Sequence, residues 1–206
     1  MKTTTFHIQL CFLAFIISFS ASGKEGKRLF KNQEVFESLI QTNPIQLEEL
    51  AIEKYKADLM RSIGVLEKKR SRFSSDKNFL EHLFYYVHRV YLKKYKPYQS
   101  FERLFANGEY GCLTGTALYA LILEELGYQT EIRETNYHVF LLVKTDTARY
   151  LMESTDALNG FVSDNNLISE RLSVILANIA KTNAKKYQFD CKINRAIQLS
   201  ELIGLQ

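Results

Sequence analysis

The sequence predicts an α+β fold, a central helix packed on a small antiparallel sheet with helical regions before and after it. Three observations predict it. Apolar residues recur at three- and four-residue steps from Glu34 to Phe105. Between Leu113 and Leu123 there is no charge at all, so a helix there is apolar nearly all round and belongs inside the protein. From Tyr128 to Thr155 the period shortens to that of strands, around the polar turn residues "TDTA" at 145–148. Helices first, then strands, then helices is the pattern of an α+β domain.

The elements follow in order. "MKTTTFHIQLCFLAFIISFSASGKEG" opens with Lys2, an apolar run from Phe6 to Ile17 and small residues Ser20 to Gly23, the pattern of a cleaved secretory signal over 1–22. That run is too short to span a bilayer comfortably, and "HIQLC" lacks the small residues expected before a lipidated Cys11. The expectation is a secreted or periplasmic protein with no stable membrane insertion once the signal is gone. The mature chain is of single-domain size.

A helical region covers 23–99. Asn43 and Pro44 make a cap and first turn. Leu47, Leu50, Ala51, Tyr55, Leu59, Ile63 and Leu66 then form an apolar stripe. "RFSSDKN" at 72–78 breaks it, with Ser75 or Asp76 as the next cap. Phe79, Leu80, Leu83, Phe84, Val87 and Tyr91 mark a second helix, read as running over 79–96 and stopped before Pro97. A short helix over 100–105 ends at Asn107–Gly108.

The core region covers 100–162. Its buried helix starts at Cys112 and ends at Gly127, a glycine C-cap. "YQTEIRE" (128–134) alternates, while "HVFLLVK" (138–144) and "RYLMEST" (149–155) form a hairpin. The final region, 163–206, reads as helical, with Leu172, Ile175, Leu176 and Ile179 in one segment and Ile193, Ile197 and Leu202 in another.

Charge excludes some functions. Without 1–22 the chain has 26 basic and 23 acidic residues, a net charge of +3, too mild for a nucleic-acid footprint. "KKRSR" (68–72) and "KKYKPY" (93–98) follow amphipathic helices, where cations complement the helix dipole. Cysteine and histidine spacings give no zinc site, and "LTGT" lacks the spacing and lysine of a phosphate loop.

Cys112 is the residue that points to chemistry. A helix N-terminus lowers a thiol's pKa, and the thiolate is the nucleophile. His138 heads the apolar strand and is the candidate base. Glu153 and Asp156 on the returning strand are candidates for the acid that orients it. If Lys144 pairs with Arg149, His138 lies opposite Thr155 and Glu153 shares its face. A one-residue slip puts Asp156 there instead. A backbone N–H at Cys112 is the candidate oxyanion donor. The bland alternative is a disulfide between Cys112 and Cys191, the two cysteines of the mature chain.

Cysteine on a helix, histidine at the next strand and an acid about fifteen residues on, in that order, resembles the transglutaminase-like superfamily. More narrowly, "EYGCLTGTALYALILEELGY", "YHVFLLV" and "ESTDALNGF" resemble its exported bacterial members over about 100–162. The resemblance implies a papain-like core, Cys112 as nucleophile and His138 as base. Because "LMEST" stands where many members have Asp-Pro-Thr, it also implies Glu153 as the third residue. It implies hydrolysis or acyl transfer on a peptide or protein amide, with no metal or organic cofactor. The chain departs from the pattern at Phe140, where many members carry Trp, at Tyr110, commonly Gly, and in having Glu for Asp. Those departures support a rival reading, a chemically silent fold that holds a protein partner.

Overall fold

A computed structural model describes residues 30–42, 48–135, 138–174 and 194–205. The fold is α+β, with a small antiparallel sheet. The segment 1–22, the Asn43–Pro44 start, Cys191 and residues 175–193 lie outside the described residues.

Helices α1 (Gln33–Gln41), α2 (Glu49–Arg70) and α3 (Asp76–Val90) come first. The α2 stripe buries Leu59, Ile63 and Leu66, but Leu50, assigned to that stripe by spacing, is exposed and Ile52 takes the inward position. Ser75 caps α3 by accepting the Asn78 N–H at 3.3 Å. Helix α3 stops at Val90 rather than continuing to residue 96. The backbone there has other partners: the N–H groups of Lys93 and Lys94 both donate to the Gly108 carbonyl at 3.0 Å. Strand β1 (Lys94–Tyr95) therefore runs parallel to β2 (Glu109–Tyr110), on the far side of the short helix α4 (Phe101–Asn107). Gly108, at φ 75°, makes the left-handed turn between α4 and β2.

Helix α5 (Cys112–Glu125) is the axis of the molecule. Its side chains from Thr114 to Leu123 are all buried, as the uncharged sequence requires. Each large apolar side chain so buried stabilises the fold by about 1.5–3 kcal/mol. Tyr119 stacks on Phe84 of α3, with ring centres 5.5 Å apart, and donates its hydroxyl to the Phe84 carbonyl at 2.8 Å.

The sheet has the order β6-β5-β4-β3-β7, built from β3 (Gln129–Thr135), β4 (Val139–Lys144), β5 (Arg149–Met152), β6 (Phe161–Val162) and β7 (Asn194–Ile197). Every neighbouring pair is antiparallel. Alternate residues of β4 divide between two cores. Val139, Leu141 and Val143 join the main core with α5, while Phe140 and Leu142 join a smaller one with Leu151, Val162 and Ile168. Burial on both faces explains why β4 reads as an unbroken apolar run.

The C-terminal region differs from its helical reading. A helix over 165–174 carries Ile168 and Leu172 onto the smaller core, and 175–179 lies outside the described residues. Ile197 and Leu202 do not share an α-helix: Ile197 ends β7, and Leu202 lies in a 3-10 helix over Leu199–Leu205. Isoleucines four apart satisfy strand and helix periods alike, and the free edge of β3 supplies hydrogen bonds that favour the strand. Ile197 pairs with Ile132 there, and Arg195 pairs its side chain with Glu134 at 2.7 Å.

Candidate active site

Gly111, in extended backbone, brings the chain into α5 and leaves Cys112 as its first residue. The Gly111 N–H donates to the Thr114 hydroxyl at 2.9 Å, which fixes the first turn. Cys112 is a free thiol, partly buried at the helix mouth. Burial raises its pKa, but a hydrogen bond and the charge from His138, with the N–H groups of Val139 and Leu113, outweigh burial and hold the thiol below its ordinary value of 9.0.

His138 precedes β4 and is locked by its backbone. Its N–H donates to the Thr135 hydroxyl at 3.0 Å, and its carbonyl accepts the Thr135 N–H at 2.8 Å and the Thr135 hydroxyl at 2.8 Å. Its Nε2 is hydrogen-bonded to Glu153 Oε1. Burial lowers the imidazole pKa, but the bonds and charges from Cys112 and Glu153 prevail and push it up to about 9. Glu153 responds in the opposite sense. Burial raises its carboxyl, while His138, the Thr155 hydroxyl (2.8 Å to Oε1) and Arg171 bring it below 4.5. A lowered thiol beside a raised imidazole moves the pair toward thiolate and imidazolium, with a carboxylate behind it.

The register decides between the two acids. Lys144 pairs with Arg149 and Leu141 with Met152. Continued, this register sets Thr155 opposite His138 and puts Glu153 on the histidine's face. Asp156 belongs to the following turn. Its carboxylate accepts the N–H groups of Leu158 (3.3 Å) and Asn159 (2.9 Å), and it faces Arg171 at 3.5 Å. None of its described bonds reaches His138.

Hydroxyls tie the three elements together. Thr116 Oγ1 donates to the Val139 carbonyl at 3.2 Å, joining α5 to the residue after His138. Ser154 Oγ donates to the Cys112 carbonyl at 3.3 Å, joining the residue after Glu153 to the nucleophile's backbone. Ser154 is fully buried against Gly115, where an added Cβ would sit 2.7 Å from both the Cβ and Oγ of the serine. Sequence reasoning missed Thr135, Ser154 and Thr155. A lone hydroxyl beside a strand end has no spacing signature, although each flanks a candidate residue or stands within three positions of one.

His82 and His88 are not part of this arrangement. His82 packs against Phe73 with ring centres 5.0 Å apart. His88 is buried against Phe84 at 4.7 Å, and neither of its ring nitrogens has a described partner. Among the described residues no group of three His, Cys, Asp or Glu is placed to hold a metal ion, and no helix is long and apolar enough to cross a membrane. Comparison of the chain with protein-family models, with curated proteins and with solved structures gives no match.

Proposed function

We propose that this protein is an exported cysteine enzyme of transglutaminase-like type, acting on an amide or thioester carbonyl of a peptide or protein. The observation that carries the reading is the order of side chains from Cys112 through His138 to Glu153, with Nε2 on the carboxylate and the same ring lowering the thiol's pKa. Sulfur at the head of a buried helix resting on an antiparallel sheet accords with the papain-like core that the resemblance implies.

In the proposed reaction the Cys112 thiolate adds to the carbonyl carbon, and the C–S bond forms as the π pair moves to oxygen. Collapse of that adduct expels the amine, which takes its proton from the His138 imidazolium. The acyl group then rests on sulfur as a thioester. Water or a second amine, deprotonated by the neutral imidazole, releases it. Glu153 holds the ring in orientation and stabilises its charge. No step calls for a metal or organic cofactor.

Assay of the purified mature chain on peptide amides tests this, with Cys112→Ala as the comparison. Loss of turnover by at least about a thousandfold, with an unchanged thermal transition, is expected. Turnover undiminished in Cys112→Ala removes the mechanism.

A further inference from the structure

Strand β1 brings a side chain to the mouth of the site that the proposed mechanism has not used. Tyr95 pairs in register with Tyr110, two residues before Cys112, and their rings meet edge to face at 5.7 Å. The Lys96 N–H donates to the Tyr110 carbonyl at 2.8 Å. The chain beyond folds over Gly111 so closely that an added Cβ there would lie 3.3 Å from the Lys96 carbonyl and 3.4 Å from the Tyr98 nitrogen. Tyr98 holds φ 58°, the one positive φ outside glycine among the described residues, and is fully exposed. Backbone in that region costs of order 1–3 kcal/mol and persists where surrounding structure imposes it. Here the β1–β2 pairing and the packing on Gly111 impose it.

Tyr95 is half exposed, and its hydroxyl makes no hydrogen bond to a described residue. Burial raises its phenol pKa, and the neighbouring charges of Cys112 and Glu153, with Tyr98, raise it further, so the proton stays on oxygen. A hydroxyl with no described partner, on a ring packed against Tyr110 two residues before Cys112, is a donor open to an acceptor at the helix mouth.

We infer that Tyr95 is a catalytic residue, its hydroxyl donating to the oxyanion that forms when the Cys112 thiolate adds to a carbonyl. This rests on the reading of Cys112 as a nucleophile. The donor complements the backbone N–H groups at the helix mouth, and it costs no rearrangement of a buried bond when the charge develops.

Two probes separate the oxyanion from the thiolate. With p-nitrophenyl acetate the sulfur adds to the carbonyl carbon, the π pair moves to oxygen, and collapse of the oxyanion expels p-nitrophenolate. With iodoacetamide the sulfur displaces iodide from a methylene carbon, and no oxyanion forms. Each rate is taken as the part lost in Cys112→Ala. For Tyr95→Phe the expected result is acylation slowed by about tenfold or more, with alkylation kept within about twofold of the wild-type rate. Equal acylation rates in the two proteins overturn the inference. So does an equal slowing of acylation and alkylation, because Tyr95 would then act on the thiolate. A wild-type Cys112 inert to both probes fails at the earlier step and overturns the proposed function, and with it the donor.

Discussion

Glu153 has two partners on one oxygen. Its Oε1 takes both the His138 ring and the Thr155 hydroxyl, and its carboxyl is held below 4.5 by them against the cost of burial. The charge matters more than the bond, because a neutral amide at that position keeps a hydrogen-bonding oxygen but no longer raises the imidazole. Glu153→Gln is therefore expected to lower the rate of acylation at Cys112 by at least about tenfold, in the range general acid–base contributions span. Asp156→Asn, three residues on and, among the described residues, bonded to its own turn and Arg171, should leave that rate within about twofold. Equal losses in the two variants contradict the assignment. At this scale the sequence made the thiol and the imidazole legible, since a cysteine opening an uncharged helix and a histidine heading an apolar strand are both visible as letters. Strand parity alone did not separate Glu153 from Asp156, because a one-residue slip in the hairpin exchanges them and the Lys144–Arg149 pairing removes the slip.

Between elements, the contact that sets the site is the one where α5 meets the end of β5. Gly115 lies one turn after Cys112, and Ser154 one residue after Glu153, so their close approach fixes nucleophile and acid together. A methyl group at Gly115 has Ser154 in its way and Tyr110 Cδ2 at 3.3 Å. Gly115→Ala should cost about 1–3 kcal/mol of stability by overpacking and reduce acylation more than the loss of folded protein explains. Thermal unfolding and acylation rates measured on the same samples check this. An alanine variant as active and as stable as the wild type contradicts the contact. The central helix and the hairpin were legible because their periods are strong and their turns are marked. The end of α3 was not, because Pro97 marks only the last place a helix could stop. The carbonyl of Gly108, some fifteen residues on, ends it earlier by claiming two backbone N–H groups. For the same reason β7 reads as helix locally. What makes it a strand is the open edge of β3, about sixty residues away in sequence.

Across the whole molecule, His88 makes the core sensitive to acid. Burial lowers its imidazole from 6.5 to about 4, opposed by the charge of Asp156, and Phe84, Tyr110 and Tyr119 surround the ring. Unfolded chains bind a proton there at the ordinary value, so they hold more protons than the folded protein between those limits. The His88 contribution to stability is then full above pH 6.5 and falls as pH drops toward about 4. His88→Phe should flatten this fall, read as thermal midpoints across the same range; midpoints with a slope like the wild type's would contradict the assignment. The α+β class followed from two changes of period along the chain, from helix to strand and back. Division of β4 between two cores was hidden, since an apolar run does not tell which element covers each face. The chemistry of the site depends on the thiolate–imidazolium pair, and ultraviolet thiolate absorbance against pH, taken as wild type minus Cys112→Ser, reads that pair. A Cys112 midpoint below 9.0 that rises in His138→Gln is the predicted result. A wild-type midpoint at or above 9.0, or one that His138→Gln leaves in place, would contradict it.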